Sequence, residues 1–284
     1  MLEVITPIIL TYNEAANIGA RLRELDWASD IVVVDSFSED DTVNTISEFP
    51  RARLFQRKFE SHASQWNFAL KETGIQTDWV LALDADYRLP VEFADELQRL
   101  RGNKETAGYR ARFVYCIHGR AISSGVYPPK VVLFQRKLAE YIQDGHTQHL
   151  DLKGRVDTLQ SHLYHDDRKP LAAFFRAQHN YAKLEADKIL SSAPRNLSLA
   201  DRLRRFRIFA PLAILFYCLI YRGGIFDGWA GYYYAFQRLL AELLLSLYLI
   251  EHDLKIGGAS NRGTSETGVR TAAKAVTKQP DATT

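Results

Sequence analysis

Two aspartates separated by a single residue, Asp84 and Asp86, are the first candidates for chemistry in this sequence. They directly follow the apolar run 79–83, which has the length and composition of a buried strand. Two carboxylates in a segment that turns beyond a strand can present oxygens to one hard divalent cation, Mg²⁺ or Mn²⁺. Because Asp also favours ordinary turns, the motif alone is weak, and its weight depends on what lies at the neighbouring strand ends.

Polar residues also follow two earlier apolar runs. Thr11, Asn13 and Glu14 come after the first run, and Asp35 ends the second. A carboxylate at such a place can accept hydrogen bonds from a ribose or from a uracil-type base edge. Two alternatives stay open: Asn13 and Glu14 only order their loop, and Asp40 caps the next helix. Three acidic strand ends favour ribose hydroxyls, a base edge and a bridging metal over direct contact with phosphate.

The elements that must position these groups alternate between two periods. Short continuous apolar runs are typical of strands buried on both faces, and amphipathic helical stretches separate them. Strands are predicted at 4–10, 31–34, 53–55 and 79–83, and helices at 17–25, 42–46 and 63–71. This β-α-β order predicts an α/β fold with a doubly wound, mostly parallel sheet and helices on both faces. Such sheets bind ligands at the carboxyl ends of their strands, where the polar residues lie.

Composition excludes several classes of protein. Lys and Arg total 36 against 34 Asp and Glu, so a formal charge of +2 gives no reason to expect nucleic acid as a partner. The two cysteines, Cys116 and Cys218, are too few and too far apart for a disulfide framework or a zinc site. The first residues lack the basic and apolar pattern of a signal peptide, so we expect the N-terminal domain in the cytosol.

Three stretches, 11–18, 27–36 and 78–86, together resemble family 2 glycosyltransferases, most closely the branch of lipopolysaccharide core β-glycosyltransferases. The resemblance is specific over about residues 4–90 and continues more weakly to about 180. It implies a GT-A fold, inversion at the anomeric carbon, and Mg²⁺ or Mn²⁺ held by the nucleotide diphosphate and the D-x-D motif. Asp84 would then contact both the nucleotide sugar and the metal, and Asp86 the metal.

Some positions depart from the family pattern. Phe37 and Asp41 stand where glycines are usual, and Tyr87 stands where Glu is usual. The segment 62–67 resembles the family's Gln-Lys-Asn stretch, which implies that Gln65 and Asn67 contact the nucleotide sugar. Trp66, however, stands where the stretch has its basic residue. We expect Arg57 or Lys58 to substitute for that base.

The second half of the family pattern supplies a catalytic base and a late histidine. Many relatives have a His-Glu pair where this chain has His146-Thr147, so either Asp144 or His146 takes the proton, and Asp144 is favoured. The alternative is that Asp144 only forms a turn. His165 resembles the late histidine that touches metal or diphosphate. Arg136, in a Leu-Phe-x-Arg pattern, would orient phosphate or the acceptor loop, unless it is a surface arginine.

The chain divides by composition into three regions: a catalytic domain at 1–200, an apolar helical hairpin at 201–254, and a disordered tail at 255–284. The first region has a nucleotide-sugar half at about 1–100 and an acceptor half at about 101–200. In the second, the uncharged run 208–221 is about 21 Å long as a helix, too short to cross a bilayer. We expect the hairpin to lie on a membrane surface; the alternative is a soluble cap or an oligomer interface.

These observations lead to one main hypothesis and two alternatives. The main one is an inverting transferase that moves a hexose from a nucleotide-diphosphate sugar, with UDP-sugars favoured, to a lipid-linked or lipopolysaccharide-type acceptor. It would work at the cytoplasmic face of the inner membrane, as a peripheral or monotopic protein. A nucleotidyltransferase is disfavoured because no Gly-rich basic loop follows the first strand. A catalytically inactive scaffold is suggested by Phe37, Trp66 and Thr147. The oligomeric state stays open.

Overall fold

The computed structural model describes residues 2–100, 105–145, 147–166, 168 and 170–275. The strands are β1 (Ile5–Thr11), β2 (Ile31–Asp35), β3 (Ala52–Gln56), β4 (Trp79–Asp84), β5 (Tyr87–Arg88), β6 (Thr106–Ile117), β7 (Arg120–Ala121), β8 (Lys130–Gln135), β9 (Ala139–Asp144), β10 (Thr147–Leu152) and β11 (Arg155–His165). The α-helices are α1 (Ile18–Glu24), α2 (Thr42–Ser47), α3 (His62–Glu72), α4 (Val91–Arg99), α5 (Leu171–Ser191), α6 (Leu199–Arg204), α7 (Phe209–Phe216) and α8 (Trp229–Ala275). A π-helical turn, Tyr217–Tyr221, extends α7, and 3-10 turns occupy Leu2–Val4, Arg136–Leu138, Pro194–Asn196 and Gly224–Asp227.

Nine of the strands form one sheet in the order β3-β2-β1-β4-β8-β6-β11-β5, with β7 paired to β6. The first four strands are parallel, which confirms the α/β prediction for the first hundred residues. The second half is mixed, since β8 runs antiparallel to both β4 and β6 while β11 runs parallel to β6. The sheet is therefore mixed, and its parallel half carries the predicted strand ends.

Both faces of the sheet are covered, as the continuous apolar strands predict. On one face Leu22 and Phe93, from α1 and α4, pack with Leu81 and Leu83 of β4. On the other face α3 packs together with a β-hairpin formed by β9 and β10. Trp66 of α3 is buried there. This tryptophan fills the core and is 3% exposed, as expected for an apolar residue on the inner face of α3.

The C-terminal helices pack on the catalytic part through their inner faces. Helix α8 contacts α5 through small and aliphatic side chains, including Ala186 and Leu249. The antiparallel pair made by α7, its π turn and α8, called here the apolar hairpin, contacts the end of β6 through Cys218 and Tyr234. The predicted helical hairpin is thus present. Among the described residues, no helix is both long and apolar enough to cross a membrane.

Helix α8 continues to Ala275 and so enters the segment 255–284 that composition predicts to be disordered. A helix that starts in a packed hairpin can run past it, because each added residue gains a backbone hydrogen bond without a new nucleation step. Residues 276–284 lie outside the described residues. The division of the chain at 100, 200 and 255 remains a prediction.

Candidate active site

The three predicted strand ends lie side by side. In the parallel ladders Thr11 pairs with Asp35, and Leu10 pairs with Asp84. Thr11 is buried, and its hydroxyl has no hydrogen-bond partner within the described part of the chain. Since buried polar groups are normally satisfied, an unpaired hydroxyl at this edge marks a place where a ligand can bind. The sheet register therefore creates the crevice that the sequence predicts.

Asp35 is fully buried at the base of this crevice. Its carboxylate accepts hydrogen bonds from the backbone N–H of Ser38 at 2.9 Å and from the Ser38 hydroxyl at 2.5 Å. The amide of Gln56 donates a third bond at 3.2 Å. Phe37, which lies in the loop between Asp35 and Ser38, has φ of +61°, a left-handed conformation that glycine adopts without strain. The loop keeps this conformation with an exposed phenylalanine.

Asn13 and Glu14 both bond to their own surroundings. The Asn13 side-chain oxygen accepts the backbone N–H of Glu39 at 2.8 Å. Glu14 accepts the Asn17 amide at 2.8 Å. Asp40 likewise accepts the N–H of Thr42, the first residue of α2. The loop-ordering and capping roles left open by the sequence are thus present, and contact of Asn13 and Glu14 with a nucleotide remains a prediction.

The second half of the chain brings His165 to the D-x-D motif. Strand β11 pairs antiparallel with β5, directly after the motif, so that His165 lies opposite Tyr87. The His165 ring nitrogen Nε2 is 3.0 Å from the Asp86 carboxylate, and both side chains are only 13–14% exposed. No three His, Cys, Asp or Glu side chains form a ready-made metal cluster in the described residues. Two of the three side chains that the sequence predicts for a metal, Asp86 and His165, are thus in contact, and Asp84 lies two residues before Asp86 in the chain.

Asp84 faces a group of tyrosines that the sequence did not single out as ligands. Burial, followed by the negative charge of Asp84, raises the pKa of Tyr87, Tyr127 and Tyr141 above the ordinary value. All three phenols therefore keep their protons at neutral pH. The Tyr87 and Tyr127 oxygens are 2.5 Å apart, and the Tyr127 ring centroid is 4.5 Å from that of His165. Only Tyr87 had a sequence signal, as the residue replacing a family Glu.

Gln65 and Asn67 of α3 have different roles. The Gln65 amide donates to the Ser36 hydroxyl at 3.0 Å and accepts from Arg57 at 2.6 Å, so it ties α3 to the loop after Asp35. Asn67 instead donates to the backbone C=O of Tyr141 at 2.8 Å and accepts its N–H at 2.9 Å. Asn67 therefore positions the β-hairpin, and its contact with a nucleotide sugar remains a prediction.

The position of Arg136 contradicts the prediction that it orients a phosphate. Strand β8 is antiparallel to β4 and pairs Gln135 with Trp79, the first residue of β4. Arg136 follows, and its backbone N–H bonds to the C=O of Asp78 at 2.8 Å. Asp84 ends the strand six residues after Asp78, roughly 20 Å away at about 3.3 Å per residue. Arg136 therefore lies at the amino edge of β4, where it cannot orient a phosphate bound at the carboxyl edge.

Asp144 ends β9 at the tip of the β-hairpin, and His146 lies outside the described residues. The Asp144 carboxylate is half exposed and 2.8 Å from the ammonium of Lys188 in α5. The neighbouring Gln143 side chain accepts the backbone N–H of Ala63 at 3.1 Å, in the first turn of α3. Helix α3 follows β3 and starts at the carboxyl edge of the sheet, so the tip with Asp144 lies on the crevice side.

Comparison with known proteins agrees with this geometry. Residues 6–149 match the family model described as glycosyl transferase family 2, which is half of the chain. An uncharacterized glycosyltransferase of Rickettsia bellii (strain RML369-C) is 25% identical over 216 residues, covering 70% of this chain and 72% of that protein. The lipopolysaccharide core biosynthesis glycosyltransferase LpsC of Rhizobium meliloti (strain 1021) is 30% identical over 119 residues. That match covers 40% of this chain and 43% of LpsC, so it spans about two fifths of either protein.

Solved structures are similar only at the level of the fold. A fragment of Staphylococcus aureus TarS, in complex with UDP-GlcNAc, is 13% identical, with a TM-score of 0.46 over 88% of this chain and 92% of TarS. Glucosyl-3-phosphoglycerate synthase of Mycobacterium tuberculosis, in complex with Mn²⁺, UDP and glucosyl-3-phosphoglycerate, is 16% identical, with a TM-score of 0.45 over 66% and 80%. Neither likeness transfers a ligand to this chain. From the family match, this chain belongs to glycosyl transferase family 2 and is a nucleotide-sugar glycosyltransferase.

Proposed function

We propose that this chain is an inverting, divalent-metal-dependent hexosyltransferase that uses a UDP-sugar and a lipid-linked or lipopolysaccharide-type acceptor. The observation that carries the donor half is the register of the strand ends, which sets Thr11, Asp35 and Asp84 side by side. A nucleoside lies beside Asp35 and the unpaired Thr11 hydroxyl, and the diphosphate extends toward the D-x-D motif. The name of LpsC supports the acceptor class through a relative of partial length.

The residues present suit Mg²⁺ or Mn²⁺. Carboxylate oxygens and an imidazole nitrogen are ordinary donors for Mn²⁺, and carboxylates serve either ion. Asp86 and His165 would hold it, with Asp84 beside them and diphosphate oxygens completing the coordination. When bound, the metal neutralises the charge that develops on the departing nucleotide. The neutral phenols of Tyr87 and Tyr127 pack around the His165 ring and fix its orientation toward Asp86.

Inversion requires one base on the side opposite the departing nucleotide. Asp144 is our candidate because the β-hairpin tip lies at the crevice side of α3, on a different element from the D-x-D motif. Its ion pair with Lys188 holds the carboxylate in place before the acceptor binds. His146, the other candidate, is the residue to compare in the same assay.

The acceptor would be met at a membrane surface. The outer face of α7 and its π turn exposes apolar side chains at helical spacing, and α8 does the same: Phe209, Leu212, Phe216, Tyr217, Ile220, Tyr221, Trp229, Phe236, Leu243 and Leu247. Phe226, in the turn between the two helices, and Trp229, the first residue of α8, are each 86% exposed. Soluble monomers rarely expose so large a continuous apolar stripe. Arg202 and Arg205, which precede α7, suit anionic headgroups, so we assign this face to the cytoplasmic leaflet of the inner membrane.

The donor half is tested by a screen for metal-dependent hydrolysis of nucleotide sugars, which needs no acceptor. We expect hydrolysis of one UDP-sugar with Mn²⁺ or Mg²⁺, and a loss of about 100-fold or more in Asp86→Asn. Asp26→Asn is the matched control, because Asp26 is exposed at the opposite edge of the sheet and pairs only with Arg51 among the described residues. Full activity of Asp86→Asn would contradict the metal assignment. Pyrophosphate release from UTP and a sugar phosphate would indicate a nucleotidyltransferase, and no metal-dependent nucleotide binding would indicate an inactive scaffold.

The membrane half is tested by co-sedimentation with vesicles of phosphatidylethanolamine and phosphatidylglycerol. Each buried aromatic ring contributes about 1.5–3 kcal/mol, so Phe226→Asp combined with Trp229→Asp should weaken binding by about 100-fold or more. Val91→Asp is the control, since Val91 is 75% exposed on α4, away from the apolar hairpin. Unchanged binding of the double variant, or a wild-type protein that forms a dimer instead of binding vesicles, would contradict the proposal.

A further inference from the structure

Lys130 is a cation beside the candidate active site that the sequence did not reveal. It opens β8, and its ammonium donates to the Tyr127 hydroxyl at 2.6 Å and to the Tyr87 hydroxyl at 3.3 Å. The ammonium also lies 4.6 Å from the centroid of the Tyr127 ring. The charge of Asp84 acts on both of these phenols, so Lys130 belongs to the surroundings of the D-x-D motif.

The strand register places Lys130 at the correct edge of the sheet. The antiparallel ladder pairs Gln135 with Trp79 and Leu133 with Leu81. Continuing the same count along both strands brings Lys130 level with Asp84. The ladder itself stops at Leu81, so β4 and β8 are no longer bonded where these two side chains lie. Opposite charges thus face the same gap at the carboxyl edge.

The ammonium of Lys130 is not neutralised by an ion pair. No carboxylate lies within 4 Å of it in the described part of the chain. An ammonium has three donors, and the two phenols take two of them. A partly buried lysine normally has a counter-charge, so one free donor and an uncompensated charge indicate a site for an anion.

The other basic candidates near the donor site do not fill this role. Arg57 is paired with Glu60 at 2.9 Å and bonded to Gln65 at 2.6 Å. Trp66 replaces the base that relatives carry on α3, and it is buried in the core. A crevice with the carboxylates of Asp35 and Asp84 repels a diphosphate unless cations offset them.

We propose that Lys130 binds the diphosphate of the nucleotide sugar and that Tyr127 positions its ammonium. This inference rests on the proposed function, because it assumes that the crevice binds a nucleoside diphosphate. The third ammonium proton is the donor left for a phosphate oxygen.

The test is calorimetric titration with UDP and with uridine, at a fixed Mn²⁺ concentration. We expect Lys130→Met to raise the Kd for UDP by about 10- to 100-fold, the effect of one charge-assisted hydrogen bond, and to leave the Kd for uridine unchanged. Lys130→Arg keeps the charge and should recover most of the UDP affinity. Lys137→Met is the matched control, since Lys137 pairs with Asp78 at the amino edge of β4.

A second variant tests the positioning role and covers poor folding of Lys130→Met. Tyr127→Phe keeps the ring against His165 but removes the hydroxyl that holds the ammonium, so UDP affinity should fall about 3- to 10-fold with uridine affinity unchanged. UDP affinity unchanged in both variants, or an equal loss of uridine affinity, would overturn the inference. Tighter Mn²⁺ binding by Lys130→Met without any loss of UDP affinity would also overturn it, since Lys130 would then only neutralise the carboxylates. A wild-type protein that binds no nucleoside diphosphate would overturn the proposed function itself.

Discussion

Replacing Arg204 by methionine should destabilise the junction between the C-terminal helices and the catalytic part. The guanidinium lies 2.6 Å from Glu242 of α8, 2.9 Å from Asp201 of α6 and 3.8 Å from Glu185 of α5. The side chains of these three carboxylates are only 4–8% exposed. Burial lowers the pKa of Arg204, but the hydrogen bonds that its guanidinium donates to Glu242 and Asp201 outweigh the effect of burial. The pKa is therefore raised, and the residue stays charged.

The expected magnitude follows from leaving buried carboxylates without their main cation. Removing one partner of a buried ion pair typically costs about 3–5 kcal/mol, because the charge that remains can neither return to water nor find a new partner. For a protein of this size each kcal/mol lowers Tm by about 2–4 °C, so the variant should melt about 10 °C below the wild type. Glu242→Met in the Arg204→Met background should recover part of this loss, since it removes one of the stranded charges.

Urea unfolding followed by tryptophan fluorescence measures this effect, because Trp66 and Trp79 are buried in the folded protein and become exposed to water on unfolding. The matched control is Arg207→Met: Arg207 pairs with Asp253 at 2.9 Å, but Asp253 is 52% exposed, so the loss should stay below about 1 kcal/mol. If Arg204→Met lowers the free energy of unfolding by less than about 1 kcal/mol, or by no more than Arg207→Met does, the ion pairs of Arg204 do not hold the C-terminal helices on the catalytic part.

Three further predictions concern the core, the acceptor side and pH. Trp66→Ala removes a buried ring that stacks on Tyr141 with centroids 5.3 Å apart, so urea unfolding should show a loss of about 3–5 kcal/mol; a loss below 1 kcal/mol would show that Trp66 is not core. Lys188→Met removes the ion pair that holds Asp144, so the rate of transfer to acceptor should fall at least about 10-fold while the rate of donor hydrolysis changes less than about twofold. Lys183→Met is the control, because Lys183 is exposed on the same helix. An equal loss of both activities would contradict a role confined to the acceptor side. Burial acts to raise the pKa of Asp227, but hydrogen bonds from Ser123 and Ser124 outweigh burial, and the pKa is lowered. The stability that Asp227 contributes to the folded protein is therefore complete above its pKa in the unfolded chain, about 4, and is lost as pH falls through its pKa in the folded protein. Asp227→Asn should therefore lower Tm at pH 7 and have little effect near pH 2–3, and a Tm difference that is the same at both pH values would refute this account.

The donor side of the site was largely predictable because its residues lie on consecutive strands. A continuous apolar strand that ends in a polar residue delivers that residue to the carboxyl edge whatever the rest of the fold does, as for Asp35 and Asp84. The contacts of Asn67, on a helix, could not be predicted in this way. Asn67 matched a motif, but a motif does not say which way a helical side chain points, and here the β-hairpin uses its amide.

The contribution of β8 to the site was less predictable because it depends on strand direction. The pattern around Arg136 indicates a strand end, but only the antiparallel pairing of β8 with β4 shows which edge that end occupies. The same pairing brings Lys130, which no sequence pattern indicated, to the level of Asp84. Reading β8 in the wrong direction therefore exchanges a residue of the site for one at the opposite edge.

The sequence by itself determined the α/β order, the parallel strands, the acidic strand ends and the apolar helical hairpin, because periodicity and burial act over a few neighbouring residues. Tertiary structure alone decided the contacts between distant segments: the Asp86–His165 pair, the tyrosines around Asp84, the placement of Lys130, and the ion network that fastens α8 through Arg204. These contacts join residues 38 to 79 positions apart or depend on strand direction. Local pattern carries no information about such pairings, since they are set by which elements pack together.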